Sequence, residues 1–72
     1  MVAARFYIKE YLQKRGGEVA GGDIERDVSS FTLYKPSYLA RVLRKMAQEG
    51  KLSTTYRKAP TGREYVVYRL NS

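Results

Sequence analysis

Seventy-two residues with a net charge of +7, from 14 lysines and arginines against 7 acids, make one domain spanning 1–72. Its core must be small, because a chain of this size buries only roughly 60% of the surface its unfolded form exposes. Cysteine and histidine are both absent, which excludes disulfides, thiolate metal sites and thiol nucleophiles and removes the commonest general base.

No catalysis, cofactor or small-molecule substrate is therefore expected. The longest apolar run, Tyr65 to Tyr68, is far short of the roughly 20 residues that a membrane-spanning helix needs. The N-terminal stretch also lacks the apolar region of a signal peptide. The expectation is a cytoplasmic protein, nucleoid-associated or nuclear if eukaryotic, with no membrane partner.

Residues 2–15 keep a helical period with no Gly or Pro inside, placing Ala4, Ile8, Tyr11 and Leu12 on one face with Tyr7 at its edge. The basic pair Lys14 and Arg15 suits a helix C-terminus, and Gly16-Gly17 stops the helix. Val2 and Phe6 lie one turn apart on the far side, a pair that offers a small homodimer contact.

Glu18-Val19-Ala20 then reads as a short pairing strand. A second helix follows, capped by Gly22 or Asp23 and carrying acids near its positive end, with Ile24, Val28 and Phe31 as its buried stripe. Thr32 to Lys35 forms the turn into the next helix, and Leu33 is expected to plug the core between the two.

The third helix starts at Pro36, which suits a first helical position, and stops at Gly50. Leu39, Val42, Leu43 and Met46 form its core stripe. The opposite side carries Ser37, Arg41, Arg44 and Gln48 at spacings of four, three and four, flanked by Tyr38 and Lys45. Only Glu49 offsets these cations, whereas a solvated helix face mixes both signs.

After Gly50 the period changes from helical to alternating. Leu52, Thr54 and Tyr56 share one face of a strand, and Val66, Tyr68 and Leu70 share one face of the next. The stretch 57–63 between them contains Pro60 and Gly62 and reads as a hairpin loop crowded by Arg57, Lys58 and Arg63. The expected inward set is Leu52, Val66, Tyr68 and Leu70.

Charge is split unevenly along the chain. In 1–34, Arg5, Lys9, Lys14, Arg15 and Arg26 are cancelled by Glu10, Glu18, Asp23, Glu25 and Asp27. In 35–72, Lys35, Arg41, Arg44, Lys45, Lys51, Arg57, Lys58, Arg63 and Arg69 face only Glu49 and Glu64, so this half carries the whole +7. Such concentration is the footprint of a surface that docks on phosphates.

The order helix, short strand, helix, turn, helix, strand, basic loop, strand resembles the winged helix-turn-helix family across essentially the whole chain. The stretch from Leu39 to Leu52, LARVLRKMAQEGKL, resembles the family's recognition helix, and Tyr68-Arg69-Leu70 the end of its second wing strand. The resemblance implies an α+β fold of three helices, a short strand and a C-terminal β-hairpin wing.

It further implies double-stranded DNA as the partner, with the third helix in the major groove and the wing on backbone or minor groove, as in a transcriptional regulator or accessory DNA-binding factor. The matching positions are Ser37, Tyr38, Arg41, Arg44 and Lys45, with Arg57, Lys58 and Arg63 at the wing, and Lys35 and Gln48 at the two ends of the helix join them as DNA-binding candidates. Arginine suits this use because its guanidinium forks onto guanine O6 and N7 or onto a phosphate.

One subgroup of the family recognises left-handed DNA through an Asn and a Tyr whose places are taken here by Ala40 and Arg44, so that activity is not implied. Two other readings stay open. The domain can be a protein-interaction module whose basic face meets an acidic partner, or it can bind RNA or single strands by stacking bases on Tyr34, Tyr38, Tyr56 and Tyr65.

Overall fold

A computed structural model describes residues 3–71. The elements are α1 (Ala4–Arg15), β1 (Glu18–Ala20), α2 (Gly21–Phe31), α3 (Pro36–Gln48), β2 (Leu52–Lys58) and β3 (Glu64–Leu70). The strands form one antiparallel sheet in the order β1-β3-β2, so the α+β class expected from the pattern is the one observed.

β3 is the central strand because it is the one with apolar side chains on both faces. Tyr68 is buried on the helix side, and Val67 is 6% exposed on the other, where its register partners are Ala20 and Thr55. Val67 lies outside the expected inward set. Its burial comes from being flanked by two strands, which alternation along a single strand does not reveal.

One core joins the three helices and one face of the sheet. Ala4, Ile8 and Leu12 of α1, Ile24 and Val28 of α2 and Leu39, Leu43 and Met46 of α3 close over Val19, Leu52 and Tyr68. The helix stripes read from spacing are therefore the buried ones except for Phe31, with Tyr11, Val42, Val66 and Leu70 half-buried at the margin.

Three expectations fail at element ends. The residue before α2 is Ala20, in extended conformation and without a side-chain cap, rather than Gly22 or Asp23. β1 runs straight into the helix because Ala20 is held by pairing with Val67. Gly21 suits that place, since a Cβ on it would sit 3.1 Å from Val66 and 3.2 Å from Tyr68 and would have to push those side chains aside.

Phe31, assigned to the buried stripe, is 57% exposed, because α2 ends at this residue and the core covers only the turns carrying Ile24 and Val28. Leu33, expected to plug the core, is fully exposed. The turn is closed by Thr32, whose hydroxyl donates to the Val28 carbonyl at 2.7 Å and accepts the Tyr34 N–H at 3.3 Å. That side-chain turn points Tyr34 toward Tyr7 and Tyr38 and leaves Leu33 in water.

Candidate nucleic-acid interface

α3 is delimited as its sequence dictates. Lys35 is extended ahead of Pro36, as a residue before proline prefers, and Pro36 opens the helix. At the other end Gly50 takes φ +80°. Its N–H donates to the Ala47 carbonyl at 3.1 Å while that of Lys51 reaches the Met46 carbonyl at 2.9 Å. This is a Schellman ending, which suits glycine because it has no Cβ.

With Leu39, Leu43 and Met46 buried, the helix must turn Ser37, Tyr38, Arg41, Arg44, Lys45 and Gln48 outward, and all six are exposed, as is Lys35 before them. Tyr38 stacks on Tyr34 with ring centroids 5.4 Å apart, which fixes it beside the start of the helix. Tyr38, Arg41, Val42 and Lys45 line a shallow groove of about 280 Å³ together with Arg5.

The acid that the pattern set against this stripe is engaged elsewhere. Glu49 accepts a two-pronged pair from Arg5 of α1, through Nη1 to Oε1 and through Nη2 to Oε2 at 3.0 Å, and lies 3.7 Å from the Lys51 ammonium. The Arg5 hydrogen bond, helped by the charges of Arg5, Lys51 and Lys45, pulls the Glu49 carboxyl down to about 2. Among the described residues no carboxylate comes within ion-pair distance of Arg41, Arg44 or Lys45.

Arg44 does have an acidic neighbour in its field. Burial raises the carboxyl of Glu25 on α2, and the Arg44 charge opposes that rise. Arg44 likewise opposes the upward push of burial on the Tyr68 hydroxyl.

The hairpin divides its cations differently from expectation. The strands extend through Lys58 and from Glu64, so the loop is five residues long, closed by the Ala59 N–H on the Arg63 carbonyl at 2.9 Å and the Gly62 N–H on the Ala59 carbonyl at 2.8 Å. Arg57 thus lies in β2 rather than in the loop. Its guanidinium bonds the Glu18 carboxylate of β1 across the outer face of the sheet, which removes it from the free set.

Lys58 alternates to the helix side of the sheet with Tyr56 and makes no ion pair among the described residues. Arg63 sits in the loop and lines a groove of about 660 Å³ between the hairpin and the start of α2, with Gly22, Tyr56, Thr61, Tyr65 and Val66 among its walls. Of the three basic residues expected at the hairpin tip, Lys58 and Arg63 are therefore the two left without an ion pair among the described residues.

Sequence reasoning missed the roles of Arg5, Glu18 and Asn71. Arg5 and Glu49 are 44 positions apart, and Glu18 meets Arg57 only once β1 and β2 flank β3. Asn71 bonds the Gly50 carbonyl through Nδ2 at 2.8 Å, the Ser53 hydroxyl through Oδ1 at 2.6 Å and the Lys51 carbonyl through its own N–H at 3.0 Å. It clasps the end of β3 to the exit of α3, and a lone Asn carries no periodicity to announce this. As for the expected dimer pair, Phe6 is 48% exposed and Val2 lies outside the described residues.

Comparison of the chain with protein-family models, with curated proteins and with solved structures gives no match. The described residues contain no helix long and apolar enough to cross a membrane and no group of three or more potential metal-ligating side chains.

Proposed function

We propose that the chain is a winged helix-turn-helix domain that binds double-stranded DNA and catalyses nothing, acting as a transcriptional regulator or accessory DNA-binding factor. The observation that carries this reading is the α3 face, on which Arg41, Arg44 and Lys45 stand exposed beside Ser37, Tyr38 and Gln48 while Glu49 is occupied by Arg5. An α-helix fits the major groove of B-form DNA, so a helix with a free cationic ridge matches that groove in both shape and sign.

The roles follow from chemistry and position. Arg41 and Arg44 fork onto base edges or phosphates, Ser37 and Tyr38 at the helix start donate to backbone oxygens, and Lys35 and Lys45 act as point charges. Gln48 reaches bases only toward the far end of the helix. Lys58 and Arg63 extend the contact along the hairpin onto the backbone, while Arg57 supports the sheet through Glu18.

The experiment is a titration of duplex DNA, single-stranded DNA and structured RNA of equal length at several salt concentrations. Tight duplex binding with about six to eight phosphate contacts gives a log–log salt slope of about −5 to −7, at −0.9 per contact. Equal affinity for all three polyanions, or none for duplex, overturns the reading.

A further inference from the structure

The exposed ring of Phe6 is one wall of a cleft. The cleft, of about 380 Å³, is lined by residues of α1, the exit of α3 and the end of β3. Its apolar surface comes from Phe6, which is 48% exposed, from the half-buried Leu70 and from the buried Met46. Arg5 and Lys9 of α1 and Lys51 just past Gly50 line it too, and none of its lining residues is an acid.

Helix geometry explains half of this arrangement. Arg5 and Lys9 are four residues apart and so lie one above the other on α1, with Phe6 beside them. Like charges at that spacing disfavour a helix unless something answers them. The chain answers with Glu49 alone, whose carboxylate is gripped by Arg5 and lies 3.7 Å from the Lys51 ammonium. Lys9 makes no ion pair among the described residues, so the cleft keeps an excess of positive charge beside its apolar surface.

Each half of the cleft alone fits a different molecule. A phosphate group answers the cations and leaves Phe6 and Leu70 in water. A neutral apolar molecule covers those side chains and strips water from the ammonium groups with nothing in return. Both demands are met by one molecule that is apolar at one end and anionic at the other. The volume of about 380 Å³ lies in the lower part of the range of small-molecule sites, with room for one or two rings or a short alkyl chain rather than for a folded element of another protein.

We propose that this cleft binds a small organic anion, a carboxylate or sulfonate carried on such an apolar body. The body covers Phe6, Met46 and Leu70, and the anionic group meets Lys9 and Lys51 while Arg5 keeps its pair with Glu49. The inference goes beyond DNA binding and does not depend on it.

The test is a fluorescence titration of the full chain with anilinonaphthalene sulfonate, followed by displacement with octanoate, octanol, inorganic phosphate and an oligoglutamate peptide at constant ionic strength. Saturable binding of one probe per chain is expected. Octanoate should displace it at a concentration about tenfold lower than octanol, which has the same body without the charge. Phosphate and the peptide, which bring charge without an apolar body, should displace little. Lys9→Glu is expected to weaken the probe about tenfold. Lys14→Glu makes the same charge change on α1 outside the cleft and should cost less than about threefold. Both lysines are exposed, so both variants keep the fold, which circular dichroism checks. Any of four results overturns the inference: no saturable probe binding, equal displacement by octanol and octanoate, displacement by phosphate or the peptide as effective as by octanoate, or equal losses in the two lysine variants.

Discussion

The arginines of the α1–α2 side and the cations of α3 with the hairpin tip differ in whether the chain itself answers them. Arg5, Arg15 and Arg26 each rest on a carboxylate of Glu49, Asp27 or Asp23. Arg41, Arg44, Lys45, Lys58 and Arg63 rest on none among the described residues. A paired surface cation has little field left at a distance and must break its pair to serve a ligand. An unpaired one keeps its field and releases only counterions when it meets a phosphate. The difference teaches that function is better read from the local supply of acids than from a tally of lysines and arginines.

The sharpest test removes the same number of charges from each population. Arg41→Ala with Arg44→Ala is expected to weaken duplex binding by about a hundredfold or more, since one base-reading arginine is worth about 1–3 kcal/mol. Arg15→Ala with Arg26→Ala lowers the net charge equally but should change affinity by less than about threefold, its cost appearing instead as a small loss of stability. Fluorescence anisotropy on one labelled duplex measures both variants. Equal losses would erase the distinction, because net charge alone would then govern binding.

The hairpin repeats the comparison within two adjacent residues. Lys58→Ala should weaken all duplexes by a similar factor and make the salt slope about 0.9 less steep, the signature of one lost phosphate contact. Arg57→Ala should leave the slope unchanged, because its guanidinium is held by Glu18. Titration of both variants across salt separates the two, and a steeper loss for Arg57 than for Lys58 would mean that the Glu18 pair opens when DNA binds.

Most of the fold was legible because its determinants are periodic. The stripes of Ile8 and Leu12, of Ile24 and Val28 and of Leu39, Leu43 and Met46 are repeats that follow from helix geometry, and Pro36 and Gly50 mark the α3 boundaries through their backbone chemistry. The errors lie where a single neighbour decides. Leu33 was sent to water by the Thr32 hydroxyl, and Phe31 by the end of α2. The candidate site was legible as a list of exposed cations on α3. It was not legible as a division into free and engaged charges, because Arg5–Glu49 and Arg57–Glu18 are long-range pairs that only the packing of α1 on α3 and the order of the strands bring about.

Glu49 allows one cation to be moved from the engaged population to the free one. Its carboxyl is held at about 2 against an ordinary 4.5, chiefly by the Arg5 hydrogen bond. A depressed carboxyl contributes stability that is fully present above its unfolded value and is lost as pH falls through its folded value. The melting temperature of the wild type should therefore exceed that of Glu49→Gln at neutral pH, and the gap should close between about 4.5 and about 2.

The same substitution frees Arg5, which lines the groove with Tyr38, Arg41 and Lys45. The less stable variant is thus expected to bind duplex a few-fold more tightly, with a salt slope steeper by up to about 0.9. Adding Arg5→Ala to Glu49→Gln should cancel that gain. If Glu49→Gln weakens binding instead, the Arg5 pair serves to hold the end of α3 in place, and the engaged charges then shape the interface as much as the free ones do.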